Sequence, residues 1–387
     1  MPSTPNTLTN LIPTLYQALD VVSRELVGMI PSVTMDAQLA RAAVGQTVLS
    51  PVAPAATAGD IAPNVTPPDD GEQAIGNISL TISKARRVPI RWQGEESRGI
   101  NTGIGRSTIQ VDQFAQAMRT LCNEVEGDLT SLNIYASRAL AAHDTTIFKT
   151  NLADAALARK VLVDNGAPTS ELKMVIGTTE GAALRTLANL AAVLPPAHSM
   201  ATQGVLIDAA GFQIRESAQI KRPAIGGASG ATVGTAAYAV GATSLVLASA
   251  GTGTIVAGDI ISLAGDANKY LVVTGDTDVS NGGTIVIAAP GLRVAIAGSA
   301  APAITVEAIG NRNMAFARSS IVLATRMPAL PEEGDMAADR TQIVDPRSGL
   351  AFEVAKYMQY RQVQYEISLA WGVKAVKTEH IMVLRGA

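Results

Sequence analysis

Thr108–Asn151 reads TIQVDQFAQAMRTLCNEVEGDLTSLNIYASRALAAHDTTIFKTN, the longest helical pattern in the chain. Ile109, Phe114, Met118, Leu121, Val125, Leu129, Leu132, Tyr135, Ala136, Leu140 and Ile147 keep a helical rhythm, and no proline interrupts it. At 1.5 Å per residue, a helix of about 35–40 residues would reach roughly 55 Å, longer than a compact domain needs. The stretch predicts a spine, continuous or broken once near Gly127.

Toward the N-terminus, Leu11, Ile12, Leu15, Leu19, Val22, Leu26 and Met29 form the stripe of an amphipathic helix over Thr9–Met29. Pro13 fits only its first turn and Pro31 ends it. From Val33 to Asn77 the texture turns to Pro, Ala, Thr and Gly, which predicts an extended arm or long loop. Ile78–Lys84 then alternates apolar and polar residues as a half-buried strand does, with Arg86–Trp92 as its expected partner. An isolated hairpin is marginal in water, so a protruding one needs a surface to lie on.

Toward the C-terminus, helical Asp154–Asn165, a strand Met174–Gly177, helical Glu180–Leu194 and strands at Val205–Ile207 and Phe212–Arg215 predict an α+β unit. Between about Lys221 and Ile304, Gly, Ala and Thr dominate, and short β-like runs recur at roughly ten-residue spacing between glycine turns. This predicts an inserted all-β barrel or sandwich, after which α+β texture resumes at Arg318–Ala324. Glu353–Lys377 alternates like paired strands, most clearly over Tyr365–Trp371. The expected organisation is an arm (1–45), an extended loop with hairpin (46–107), a spine (108–152), an interrupted α+β unit (153–221 and 306–340), the β insertion (222–305) and C-terminal strands (341–387).

Of the 387 residues 47% are hydrophobic but only 16% charged, well below the usual ~25%, and there are 34 Gly and 19 Pro. Two readings fit the deficit: a surface that ends against other subunits, or a coding bias toward Ala and Gly. A net charge of −3 excludes a basic domain that grips nucleic acid by phosphate neutralisation. The N-terminal residues lack the pattern of a signal peptide, and no run of about 18 apolar residues predicts a membrane span.

Catalytic signatures are missing from the sequence: no phosphate-binding loop, no Gly-x-Ser-x-Gly elbow and no His-Glu-x-x-His. Gly226–Ala231 and Gly251–Thr254 read as turn glycines. Glu95 and Glu96 beside Arg91 and Arg98 read as a solvated or salt-bridged face. Asp259, Asp266, Asp276 and Asp278 read as turn aspartates and not as a calcium loop. His143, His198 and His380 have no metal-ligand spacing, and Cys122 reads as a small buried hydrophobe. No cofactor, metal or catalytic residue is expected.

Three stretches carry a family resemblance: Ile367-Ser-Leu-Ala-Trp-Gly-Val-Lys-Ala-Val-Lys-Thr-Glu-His, Val256-Ala-Gly-Asp-Ile-Ile-Ser-Leu-Ala-Gly and Asn313-Met-Ala-Phe-Ala-Arg-Ser-Ser-Ile-Val-Leu-Ala. With the order of elements, they make the chain resemble the major capsid proteins of tailed double-stranded DNA bacteriophages. Within that group it is most similar to the coat proteins of Salmonella-infecting podoviruses, which carry an inserted β-barrel domain. The hairpin and arm match only in character. The resemblance implies an N-arm, an extended loop, a peripheral domain with the spine and an axial domain.

It also implies a shell of pentamers and hexamers assembled around a scaffolding protein, with a portal protein at one vertex, a possible decoration protein and packaged DNA nearby. The chain would act in the host cytoplasm during assembly and in the virion capsid afterwards, away from membranes. The expected contact residues are Lys84, Arg86, Arg87, Arg91, Trp92, Glu95, Glu96 and Arg98 in the hairpin, and Leu11, Leu15, Leu19 and Leu26 in the arm, whose apolar stripe also fits burial in the subunit's own core. An α+β enzyme with an unrecognised site and a surface adhesin are the rival readings.

Overall fold

The computed structural model describes residues 28–52, 60, 61, 63, 76–95, 105–141, 146–187, 205–344 and 349–386. In chain order the strands are β1 (Thr34–Ala42), β2 (Thr47–Val52), β3 (Gly76–Thr81), β4 (Lys84–Gln93), β5 (Arg138–Ala141), β6 (Leu172–Ile176), β7 (Val205–Ala209) and β8 (Phe212–Glu216). There follow β9 (Ser244–Val246), β10 (Ile260–Leu263), β11 (Lys269–Thr274), β12 (Thr284–Ile287), β13 (Ile304–Val306) and β14 (Arg312–Ala317). The last are β15 (Ile321–Pro328), β16 (Ala337–Val344), β17 (Ala351–Gln359), β18 (Gln362–Ala375) and β19 (Ile381–Arg385). The helices are α1 (Gly105–Ser131), α2 (Ala153–Asp164) and α3 (Thr178–Arg185). The fold is α+β.

The first sheet has the order β1-β15-β18-β17-β16, with β4 on the free side of β18. Period-2 alternation sorts β18 into two faces. Tyr365, Ile367, Leu369 and Trp371 join a core with Phe114, Met118, Leu121, Val125 and Leu129 of α1, and the Phe114 and Tyr365 rings meet edge-on at 5.6 Å. Each such burial stabilises by about 1.5–3 kcal/mol. The opposite face of β18 carries Glu366, Ser368, Ala370 and Gly372.

The spine is shorter than the periodicity predicts. α1 has 27 residues, about 40 Å, and runs through Gly127 unbroken. After a 3-10 turn over Leu132–Tyr135, Ser137 donates its N–H and its hydroxyl to Ile381 O, and β5 enters a sheet parallel to β19. Alanine-rich Arg138–Ala141 has good helix propensity, but the waiting strand satisfies its backbone and overrides that preference.

The second sheet runs β7-β8-β6-β14-β19-β5-β11-β10-β13. One face packs α2 and α3 through Ala158, Leu162 and Leu184 against Met174, Ile214 and Leu384. The other face sends Val175, Met314, Phe316 and Val383 into the α1 core. Both sheets thus share one interior.

The insertion has its own core, including Val233, Leu245, Ile261, Tyr270, Val272 and Ile285. Its strands run β13-β10-β11-β12-β9, and the segment 231–234 closes the ring. Gly234 N–H donates to Val246 O and Ala248 N–H to Thr232 O on one side, while Val233 N–H donates to Pro302 O and Ile304 N–H to Ala231 O on the other. A closed ring removes exposed strand edges. Asp259 ties the barrel to its connector by accepting from the N–H groups of Gly226 and Val256.

Three expectations need correction. Within the segment expected as an arm or loop over 33–77, the described residues form β1, β2 and the start of β3, because β1 finds a parallel partner in β15, where Arg326 donates to Asp36 at 2.9 Å. The hairpin does not pair as expected: β3 pairs with β2, while β4 pairs along its whole length with β18. Period-2 patterning fixes which face a strand buries, not which strand it meets. Third, residues 306–340 divide between sheets, β14 in the second and β15 and β16 in the first, and β19 returns from the C-terminal strands to the second sheet.

Candidate functional site

The ten-residue strand β4 holds most of the expected contact residues. Two strand residues advance about 6.6 Å and four helical residues about 6 Å, so alternate β4 side chains can meet successive turns of α1. Lys84 pairs with Asp128 at 2.7 Å, Arg86 with Glu124 at 3.5 Å, and Trp92 Nε1 donates to Gln113 Oε1 at 3.0 Å. Trp371 Nε1 also donates to Asp128, at 2.8 Å, so one carboxylate anchors the far end of the strand, the helix and β18.

Lys84 and Arg86 are therefore engaged within the subunit, and Trp92 belongs to its core. These replace the expectation of a protruding hairpin. On the opposite face of β4, Arg87 pairs with Glu366 at 2.7 Å while staying mostly exposed, and the Glu366 contact raises the Arg87 guanidinium above its ordinary pKa. Arg91 and Glu95 are exposed, without an ion-pair partner among the described residues. Glu96, Arg98, Leu11, Leu15, Leu19 and Leu26 lie outside the described residues.

β4 hydrogen-bonds one neighbour, β18, so its outer edge is open among the described strands. A shallow groove between this edge and α1 is lined by Val88, Ile90, Arg91, Gln113, Gln116 and Thr120. An open edge of this length is a template for pairing unless charges or a neighbour cover it. Pro89 removes one donor from the strand, and Arg91 sets a charge two residues on, both of which blunt the edge.

Two further features escaped the sequence reading. Buried Glu353 accepts from both terminal nitrogens of Arg41, at 2.9 and 2.8 Å, and from Arg340 at 2.7 Å. Burial pushes the Glu353 carboxyl up, but the two guanidiniums outweigh it and hold the group below its ordinary value. Arg340 also pairs with Asp335 and pulls that carboxyl down to about 2. The second feature is the ribbon β2–β3, whose Leu80 and Ile82 pack on Ala42, Ala324 and Ala370. The only signal for either was an out-of-place charge or a small residue inside an apolar strand.

No group of three metal-ligating side chains occurs among the described residues, and no described helix is long and apolar enough to cross a membrane. No family model matches the chain, and no curated protein matches it. Among solved structures it is similar to a capsid structure of the cyanophage P-SCSP1u, at 10% identity and a TM-score of 0.46, covering 93% of this chain and 88% of that one. It is also similar to a virus-like particle protein from Pyrococcus furiosus, at 10% identity and a TM-score of 0.43, covering 96% and 98%. A third is a capsid chain of Ralstonia phage GP4, at 8% identity and a TM-score of 0.44, covering 92% and 87%.

Proposed function

We propose that the chain is the major capsid protein of a tailed bacteriophage, a structural subunit that assembles as pentamers and hexamers into an icosahedral shell around double-stranded DNA. The observation that carries this reading is the open, charged edge strand β4 laid along a 27-residue helix. A long open edge is a liability in a monomer and an asset in a tile. The closed barrel inserted between the halves of the second sheet supports the finer likeness to podovirus coat proteins. Scaffolding, portal and decoration proteins are the partners such a shell requires or admits, and the work is done by changing subunit packing instead of by making bonds.

In this reading Arg87, Arg91 and Glu95 face a neighbouring subunit, while Lys84, Arg86 and Trp92 position β4 for that contact. Electron microscopy of the expressed chain, alone and with a scaffolding protein, tests the proposal. Megadalton shells are expected, and small discrete oligomers under both conditions would overturn it. Arg91→Glu should reduce shell yield without changing the melting temperature; normal yield would remove β4 from the contact surface.

A further inference from the structure

One corner of the first sheet carries a row of apolar side chains that begins in the core and ends in solvent. Trp92 of β4 is paired with Val363 of β18, and Val363 with Met358 of β17. Met336 directly precedes edge strand β16, whose first residue, Ala337, pairs with Tyr357, the chain neighbour of Met358. Four strands at about 4.8 Å spacing make this row roughly 15 Å wide. Its inner end is buried, yet Met358 is 54% exposed, Met336 87% and the adjacent Tyr360 89%. Single exposed hydrophobics are unremarkable, but a contiguous row that continues a core points to a covered surface.

Charge brackets the row asymmetrically. On the β16 side, the turn before Met336 carries Glu332 and Glu333, both exposed and without an ion-pair partner among the described residues, whereas Asp335 is held by Arg340. On the β18 side stand Arg361, at the β17–β18 turn, and Arg91; Arg361 O accepts from Gly94 N–H and so fixes this turn beside the end of β4. Of the acids on this side, Glu366 is held by Arg87, and Glu95 follows just after β4. The corner thus has an acidic side, an apolar middle and a mainly basic side.

We infer that this corner is a self-complementary contact in which the Glu332–Glu333 turn of one copy meets Arg361 of the next, with Met336, Met358 and Tyr360 buried between them. The inference rests on the shell reading and names its partner, a second copy of this chain. A two-fold that reverses the row would also match acid to base but would close at two copies, whereas a head-to-tail repeat carries the acid-to-base match from each copy to the next. The apolar middle supplies the burial, and the charges select the register and the direction.

The test uses the full chain and three charge variants: Glu332→Arg with Glu333→Arg, Arg361→Glu, and all three substitutions together. Each is followed by sedimentation velocity and electron microscopy, with circular dichroism melts as the folding control. Each partial variant should lose at least tenfold in assembled material, and the triple variant, which restores opposite charges at each junction, should recover most of it. Assembly by all variants at the wild-type level, or no recovery in the triple variant, overturns the inference while leaving the shell reading intact. Wild-type small oligomers that the partial variants lose support the contact and sink the shell; a strictly monomeric wild type sinks both.

Should a charge variant melt early, Glu333→Cys combined with Arg361→Cys keeps the question open to a direct answer. A short bismaleimide should then link one copy to the next in a ladder on a denaturing gel. Absence of the ladder in protein that assembles normally would overturn the contact.

Discussion

Gly372→Ala isolates the docking of the β2–β3 ribbon on the first sheet. A Cβ at Gly372 would press into the carbonyl of Thr81, 2.9 Å from its carbon and 3.1 Å from Ile82 Cα. Both are backbone atoms, which cannot rotate aside. Leu80 and Ile82 are buried beneath the ribbon, Ser83 N–H donates to Trp371 O at 3.0 Å, and Lys374 Nζ donates to Ser79 O at 2.6 Å. Complete detachment would forfeit two apolar burials of about 1.5–3 kcal/mol each and hydrogen bonds of about 1 kcal/mol. Overpacking of one methyl typically costs about 1–3 kcal/mol, so the ribbon should stay docked but open more often.

A change of about 2–3 kcal/mol in local opening corresponds to a loss of roughly 30- to 150-fold in amide protection. Hydrogen exchange read at Ser83, whose N–H donates across the docking interface, is the assay. Gly127→Ala is the control: nothing lies within 4 Å of its added Cβ, and alanine in a helix should stabilise by about 0.5–1 kcal/mol. If Ser83 protection in Gly372→Ala stays within threefold of wild type, or if protection falls equally across both sheets, the close approach does not hold the ribbon and the reasoning fails.

Glu353→Gln should destabilise by about 1.5–3 kcal/mol, because the buried carboxylate loses its charge-assisted hydrogen bonds from half-buried Arg340 and the more exposed Arg41. The Glu353 carboxyl is held below its ordinary value, so its contribution is present above the unfolded value near ~4.3 and fades as pH falls through the lower folded one. Urea midpoints of wild type and variant should differ at pH 7 and converge in acid; a constant gap would contradict this. Glu126 behaves oppositely: burial raises it while Met29 N–H, Ile30 N–H and the Ser217 hydroxyl donate to it. Its contribution is present below about 4.3 and is lost as pH rises through the higher folded value.

Glu126→Gln, which still accepts hydrogen bonds, should match or exceed wild-type stability at pH 7, and Glu126→Ala should cost about 1–3 kcal/mol; equal losses in both would refute this. Asp259→Ala frees the connector at Gly226 and leaves Arg312 buried without its nearby carboxylate. Limited proteolysis should then cut between 221 and 226 faster than in wild type.

The described helices were legible where a periodic stripe also met an unambiguous stop: α2 spans almost the predicted residues. The spine was legible in its first two-thirds, because Phe114 to Leu129 face one core. Its end was not, since Ala139 and Leu140 suit a helix and a strand equally, and only β19 lying alongside decided between them. β4 was legible as a strand, but its partner was not. Lys84, Arg86 and Trp92 read as an exposed charged hairpin until α1 was seen to supply Asp128, Glu124 and Gln113.

By itself the sequence determined the types of most elements, though not of β1, β2 and β5, as well as the alternating faces of β4 and β18, the separate texture of residues 222–305 and the scarcity of charge. These follow from periodicity and composition, which act within a few residues. The tertiary structure alone decided that β3 and β4 part to different sheets, that residues 231–234 close the barrel, that Glu353 gathers Arg340 from the neighbouring strand and Arg41 from the distant β1, and that Met336, Met358 and Tyr360 share one corner with opposite charges on its flanks. Strand pairing and charge networks join residues up to hundreds of positions apart. Their energies depend on which surfaces meet, and no local pattern encodes that.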